Sequence, residues 1–419
     1  MTYFPFHHNL QYLLRTVFSR NNKGQPPLTW HVAFLGEQAY TYTNCGDMKK
    51  SFILRHYMTL TVTYTPPDFT LSHLRKSPPA LLAPAPADGI APASYHATSN
   101  HPEYIKIGEA KWVLAPESRM DAVFVVKDQK ISVVEARNLR QGDMVVTGRT
   151  ENGEEGILVH NSGFTRSEEN EDKFAFRSRG TRETPFSYSY DSLYEILKHD
   201  RADGHIVWVL GPAVAFDKDS RSAMQGLIEN GFCHALMAGN ALATHDIEAA
   251  VYQTGLGQNI YSQALQPMGH YNHLDILNEV RKAGSIGKAI RALDISDGIM
   301  YACEKNNIPY VLAGSIRDDG PLPETVGNVY HSQDMMREHA RKATTVITMA
   351  TQLHSIAFGN MTPGYKILDD GTVRPVYFYV VDMSEFSADK LANRGSAQAQ
   401  AILTNVQDFI VNLWNHLKQ

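Results

Sequence analysis

Five stretches combine residue types that can hold or transform a small polar molecule. In Gly314-Ser315-Ile316-Arg317-Asp318-Asp319-Gly320-Pro321 an arginine stands beside two carboxylates. A guanidinium clamps a carboxylate with two parallel hydrogen bonds, and a carboxylate holds an ammonium group. The stretch therefore carries both halves of an amino-acid clamp; its plain alternative is an Arg–Asp pair in a Gly-Pro turn. The segment Ala238-Gly239-Asn240-Ala241 is followed by Thr244-His245-Asp246-Ile247-Glu248, an imidazole and two carboxylates within four residues. Their spacing matches no strong zinc motif, so capping and ion-pair roles are preferred to a metal or acid–base role. In Gly269-His270-Tyr271-Asn272-His273 the two histidines can share a helix face, but no third ligand is near, and no metal is expected. The fourth and fifth stretches are residues 353–360, with His354, Ser355 and Asn360, and residues 393–399, with Gly395 and Ser396. Earlier in the chain, Thr98-Ser99-Asn100-His101-Pro102 gathers polar groups ahead of a proline, which favours extended or turn backbone, and Met120-Asp121 follows. A loop of this kind placed over a sheet edge would supply one wall of a cleft; ordinary turn chemistry is the alternative.

The elements that must position these residues are legible in the apolar pattern. Residues 205–210, 235–238, 310–313, 345–350 and 376–381 are apolar runs, each stopped by small or polar residues. Helical patterns at 221–229, 273–283 and 333–342 alternate with them. Runs apolar on both faces, alternating with helices, predict a parallel sheet covered on both sides. In such sheets ligands bind beyond the carboxyl ends of the strands, where helix N-termini can face an anion. The stretches with Gly239, Gly314 and Ser355 lie at or just beyond such ends, although GxGxxG is absent. Residues 121–126, 131–135 and 144–147 read as short strands separated by turns. Residues 29–35 and 58–64 also read as strands, and 11–19 as a helix. A Pro/Ala-rich segment at 77–87 and a polar stretch at 163–184 punctuate the chain. The expected organisation is an α+β region at 1–85, a β-rich unit at 86–162 and an α/β domain at 163–419, whose pattern leaves a nucleotide and some other ligand equally open.

A length of 419 residues suggests two to three domains, and 43% hydrophobic residues suffice for a packed core. A net charge of -5 gives no basic footprint for nucleic acid. No apolar run is long enough to span a bilayer, and the first ten residues lack the pattern of a signal peptide. The three cysteines, Cys45, Cys233 and Cys303, are far apart and odd in number, which favours free thiols in a reducing cytoplasm.

Longer motifs carry a resemblance. GPAV at 211–214, AGNALATHDIEAA at 238–250, GHYNHLDILNEVRKAGSI at 269–286 and DGIMYACEKNNIPYVLAGSIRDDGPLPE at 297–324 resemble the archaeal-type ornithine cyclodeaminase family, also known as the LOR/SDH conserved region. QDMMREHARKAT at 333–344, LHSIAFGNM at 353–361 and LANRGSAQA at 391–399 extend the likeness, and PADGIAPASYHATSNHP at 86–102 and MDAVFVV at 120–126 carry it back to residue 86. A cyanobacterial arginine-degrading bifunctional enzyme carries a similar module.

The resemblance implies a deoxyhypusine-synthase-like, Rossmann-like domain with tightly bound NAD, and conversion of L-ornithine to L-proline with release of ammonia. It implies cofactor contacts from Gly211, Pro212, Ala213, Gly239, Asn240, Ala241, Asp246, Gly314, Ser315, His354, Ser355, Asn360, Asp382, Gly395 and Ser396. For that reaction Arg317, Asn100 and His101 are the candidates to bind substrate, and Asp318, Asp319 and Asp121 compete to hold the δ-ammonium and accept its proton. A small-molecule amino-acid partner, a homo-oligomer (dimer or tetramer) and no nucleic acid or membrane are expected. The chain departs from the family's pattern at residues 54–59, at Phe216-Asp217-Lys218-Asp219 and at Met383-Ser384-Glu385. These departures keep two other readings open: an NAD-dependent cyclase, dehydrogenase or deaminase acting on a related basic or guanidino amino acid, and a non-catalytic NAD-binding regulator.

Overall fold

The computed structural model describes residues 13–17, 30–35, 38–42, 62–109, 111–165, 187–318, 320–393 and 398–418. The chain forms two compact units, Met1–Thr61 and Val62–Gln419. In the first, the described residues make a three-stranded antiparallel sheet of Leu13–Val17, Trp30–Leu35 and Gln38–Tyr42. This corrects the helix expected at 11–19. Five residues ending in the β-branched pair Thr16-Val17 gain little from an isolated helical turn, whereas the neighbouring strand offers them a full ladder. Of the strand expected at 58–64, only Thr63–Tyr64 lies among the described residues as a strand.

The second unit begins with two small antiparallel sheets. One has the order Leu81–Pro84, Met144–Thr147, Val123–Lys127, Lys130–Val134; the other joins Ile157–Val159, Glu103–Ile107 and Lys111–Leu114. The hairpin Lys127–Lys130 turns through Asp128 (φ +50°) and Gln129 (φ +61°), the two left-handed positions of a tight two-residue loop. Inward residues Ile105, Phe124, Ile131, Val133, Val146 and Ile157 form a common core.

The larger part is a seven-stranded sheet. Its strands are β1 (Ile206–Leu210), β2 (Ala235–Gly239), β3 (Tyr310–Ala313), β4 (Thr325–Val326), β5 (Thr345–Met349), β6 (Tyr377–Asp382) and β7 (Gln398–Leu403). The order is β4-β3-β2-β1-β5-β6-β7, and every pair is parallel. The parallel, two-sided sheet expected from the apolar runs is therefore present. In β1, Trp208 and Leu210 join one core while Val207 and Val209 join the other. The first core packs under α1 (Ser187–Asp203), α2 (Lys218–Glu229), α3 (Asn240–Tyr252), α4 (Asn272–Ala283), α5 (Ile299–Asn306) and α9 (Val406–Leu417). The second packs under α6 (Val329–Ala340), α7 (Gln352–Met361) and α8 (Glu385–Ala392). Helix starts follow cap chemistry: Asp217 accepts from Ser220 N at 2.8 Å before α2, and Asn405 accepts from Gln407 N at 2.8 Å before α9. The strands β4 and β7 were not anticipated. One is two residues long, and the other, QAQAIL, alternates polar with small residues as an edge strand does. Among the described residues no helix is long and apolar enough to cross a membrane.

Charge and backbone join the small sheets to the large one. Arg119, 1% exposed, pairs with Glu135 and, at 3.3 Å, with Glu117. From α6, Arg337 reaches Glu135 at 2.5 Å, and beyond its end Arg341 reaches Glu117 at 3.1 Å. Gly364 N donates to Ser118 O at 2.8 Å, and Tyr365 Oη to Ala115 O at 2.6 Å.

At the amino ends of the strands, His205 stacks between His234 (5.4 Å) and His339 (6.3 Å). Burial, with His234, His339, Lys342 and Lys366 around it, pushes His205 down to about 4 from 6.5. A histidine held neutral in the fold takes up a proton on unfolding, so its contribution is whole above pH 6.5 and is lost as pH falls toward 4. The melting temperature should therefore drop between pH 7 and pH 5, and His205→Gln should shrink that drop. Thermal melts of both proteins at the two pH values check this, and equal drops would remove His205 as the cause.

Candidate active site at the carboxyl ends of the strands

The chain leaves β1 toward β2 and later returns to β5 on its other side, so β1 and β5 flank the topological switch point. Here the backbones nearly touch. Gly211 N donates to Met349 O at 2.8 Å, and a Cβ on Gly211 would stand 2.0 Å from Ala350 O. Ala350 itself takes φ +56°, unusual for alanine. Pro212 and Ala213 continue in a short 3₁₀ turn, and Gln407 Nε2 donates to Ala213 O at 2.9 Å.

After β2 the chain turns at Gly239 into α3. A Cβ at Gly239 would meet His354 Cε1 at 2.9 Å, so the ring of His354, from α7, lies across the edge against β2. Thr351 Oγ1 and His354 Nδ1 are 3.2 Å apart, and Ser355 Oγ donates to Thr351 O. Burial holds His354 below the ordinary imidazole value, while Asp318 pulls the other way. After β3, Gly314 N donates to Val326 O; Ser315 N donates to Asp318 Oδ2 at 2.8 Å, and Arg317 N to Ser315 Oγ at 3.2 Å. The side chain of Arg317 is exposed. Past β6, Asp382 Oδ1 accepts from Ser384 N, beside an open hollow of about 690 Å³ lined by Asp382, Met383, Ser384, Glu385 and Phe386.

A cavity of about 540 Å³ opens on the small-sheet side. Its wall includes Tyr95, Ser99, Asn100, His101, Asp121 and Asn393. Asp121 sits at φ +61°, and its Oδ2 accepts from Asn360 Nδ2 of α7 at 3.1 Å. One helix thus serves both regions. His354 and Asn360 are six residues apart, about 9 Å along the axis at 1.5 Å per residue. Among the described residues the lining holds one carboxylate, Asp121, and no lysine or arginine. Burial keeps His101 below its ordinary value, with Glu103 and Glu151 opposing and His160 reinforcing, so the imidazole favours its neutral form. Such a cavity favours a cation.

The structure therefore gathers Asn100, His101 and Asp121 in one cavity, with Asn360 beside them. It gathers Gly211, Gly239, His354 and Ser355 at the switch point. Arg317 does not line the cavity. Asn240 Oδ1 accepts from Leu322 N and Thr325 Oγ1, which pins the loop after β3 to the start of α3, where Ala241 is half-buried. Asp246, 1% exposed, accepts from Arg221 Nε (2.7 Å), Ile299 N and Met300 N. Those three donors commit its carboxylate to capping α5 rather than to the edge. Neighbouring Glu248 takes His245, Thr254 and the amides of Leu256 and Gly257, tying down the hairpin after α3. Asp319, Gly395 and Ser396 lie outside the described residues. Residue reasoning passed over Glu103, whose donors Ser99, Ser118 and His96 are gathered by the fold, and over Gly364, whose absent Cβ would meet Asn100 O at 2.0 Å.

The edge suits a dinucleotide. Two glycines leave room where a Cβ would collide. Neither α3 nor α7 has its first amides capped by the side chain that precedes it, since Gly239 has none and Thr351 turns to His354. Free helix N-termini at a glycine-lined crevice are what a pyrophosphate needs.

Comparison with known proteins agrees with this architecture. Residues 192–413 match the family described as arginine dihydrolase ArgZ-like, C-terminal, Rossmann fold. An ornithine cyclodeaminase of Methanopyrus kandleri is 36% identical over 341 residues, 81% of this chain and 78% of that protein. The crystal structure of a LOR/SDH protein from Methanococcus maripaludis superposes with a TM-score of 0.73 at 34% identity, covering 81% of this chain and 98% of that one. The ternary complex of AgrE with ornithine and NAD+ matches with a TM-score of 0.50 at 26% identity, over 93% of this chain and 53% of AgrE. The chain belongs to the ArgZ-like C-terminal Rossmann-fold family, with archaeal ornithine cyclodeaminases among its relatives.

Proposed function

We propose that this chain is an NAD-dependent ornithine cyclodeaminase, converting L-ornithine to L-proline and ammonia. The observation that carries the reading is the cavity where Asp121, the one carboxylate among the described lining residues, is tied through Asn360 to the helix that starts at the switch point. The names of the relatives support the same chemistry, and AgrE holds ornithine and NAD+ together.

NAD, when bound, supplies reversible hydride exchange, which makes the overall conversion redox-neutral. The chain's own residues must do the rest. The δ-nitrogen of ornithine bonds to the α-carbon, the bond from the α-carbon to the α-nitrogen breaks, and that nitrogen leaves as ammonia. The δ-ammonium must first lose a proton, and its free pKa, by analogy with lysine, is about 10.4. Asp121 is our candidate to hold that ammonium and accept the proton, and the bond from Asn360 to one of its carboxylate oxygens supports the assignment. Asp318 is the weaker candidate, because the Ser315 amide already engages it. Asn100 and His101 offer hydrogen bonds to the substrate from the facing wall. Arg317, exposed on the loop after β3, is our candidate for the substrate carboxylate. Gly211 and Gly239 let the backbone approach the pyrophosphate, and His354 covers the edge beside it.

Ornithine should yield proline and ammonia in equal amounts with no steady-state rise at 340 nm; one NADH per product would indicate a plain dehydrogenase. If NAD is bound and ornithine gives neither product, the substrate passes to a related basic amino acid. Asp121→Asn should lower kcat/KM by roughly 30- to several-thousand-fold, the loss of about 2–5 kcal/mol for a charged partner, and should flatten the rise of rate with pH. Unchanged kcat/KM and pH profile would move the base elsewhere. Gly211→Ala should lose bound nicotinamide nucleotide, because its Cβ would stand 2.0 Å from Ala350 O. Mass spectrometry of the denatured variant reads this directly, and a full complement of nucleotide would place the cofactor away from this crevice.

A further inference from the structure

Four buried carboxylates among the described residues tie separate parts of the chain together: Asp200, Asp246, Glu248 and Glu103. Only Glu103 does so at the cavity. Its side chain is fully buried. Oε1 accepts from Ser99 N at 2.5 Å and Ser99 Oγ at 2.8 Å, and Ser118 Oγ stands 2.6 Å away. Oε2 lies 2.6 Å from His96 Nε2, whose ring stacks on Phe124. The same turn continues into the cavity wall, and His101 N donates to Ser99 Oγ at 3.2 Å. On its other side the turn meets Gly364, where a Cβ would reach Asn100 O at 2.0 Å. The residues that face the cavity are thus held between a charged acceptor and a backbone that leaves no slack.

We infer that Glu103 is the positioning residue that sets Asn100 and His101 at the distance the substrate requires. This deepens the functional reading and rests on it, since it takes the cavity to be the substrate's. Bonds to a carboxylate are shorter and stronger than bonds to a neutral amide. A glutamine would offer Ser99 and Ser118 one neutral oxygen in place of a charged one, and its N–H₂ would require His96 Nε2 to accept. The turn would keep its shape approximately and lose its register, and misplacement of about 1 Å commonly costs on the order of 100-fold in rate.

Asp200 provides the comparison. It is equally buried, accepts from Thr344 Oγ1 (2.5 Å) and Thr345 Oγ1 (2.8 Å), and pairs with Arg374, but it sits at the amino ends of the strands. Glu103→Gln and Asp200→Asn should both lower the melting temperature. Only Glu103→Gln should raise KM for ornithine, by roughly 10–100-fold, with NAD affinity unchanged. Only it should speed hydrogen exchange at the amides of Ser99 and His101, which donate within this turn. If Glu103→Gln does not fold, Ser99→Ala and Ser118→Ala remove the donors one at a time and should show the same pattern more weakly. A variant with wild-type KM and wild-type exchange at these amides overturns the inference. A parallel KM rise in Asp200→Asn would reduce Glu103 to general stability. If the wild-type protein does not turn over ornithine, the functional reading fails; the exchange data still decide whether Glu103 holds the turn.

Discussion

The approach of Gly211 to the carbonyl of Ala350 is the constraint from which the rest of the site follows. It exists because β1 and β5 run side by side and their chains then part in opposite directions. The parting opens a crevice, and the missing side chain at 211 lets the two backbones meet at its base. Any larger residue there would push two fully buried strands apart, and the packing density of such a core does not allow it. The crevice is therefore as rigid as the sheet. Helices α3 and α7 begin at its rim because β2 and β5 end there, and their free amides face the same space. α7 then carries the constraint onward, with His354 near its start and Asn360 about 9 Å farther along.

Buried charge is the second organising device. Each deeply buried carboxylate accepts from several donors on more than one residue. Asp246 caps α5 and takes Arg221; Glu248 ties the hairpin after α3; Glu103 ties the turn at 96–101. Isolated, each charge would cost several kcal/mol to bury. Fully bonded, each fixes one loop in one conformation. Asp121 is different. It is exposed, it stands in a left-handed backbone conformation, and one helix residue holds it in place. A carboxylate kept available in this way is suited to a partner that comes and goes.

The join between the small sheets and the large one decides what the cavity can be. It is made by an alternating ladder of Glu117, Arg119, Glu135, Arg337 and Arg341, and by backbone bonds at Gly364. Two charged surfaces locked in register keep the cavity and the switch-point crevice at a constant separation. The proposed function needs such a fixed separation, because a hydride then moves between held partners and no intermediate is released to water.

The parallel sheet was legible in the amino-acid sequence because a strand buried on both faces needs a largely apolar run, and 205–210, 235–238 and 310–313 are such runs. The glycines at their ends were legible for the same reason, as breaks in that pattern. The motifs at 211–214, 238–250 and 353–361 carried the family. The roles of charged residues were not legible. Asp246 and Asp121 look alike in one dimension, yet one is sealed by three donors and the other lines a cavity. The helix expected at 11–19 failed similarly, since a five-residue stretch takes whichever structure its partner offers. Local pattern determines which face of an element is apolar; only the tertiary structure decides which distant donors reach a carboxylate. That choice is made by contacts such as Asp121 with Asn360, 239 residues away in the chain, whose energy depends on distance in space and leaves no periodic trace in the sequence.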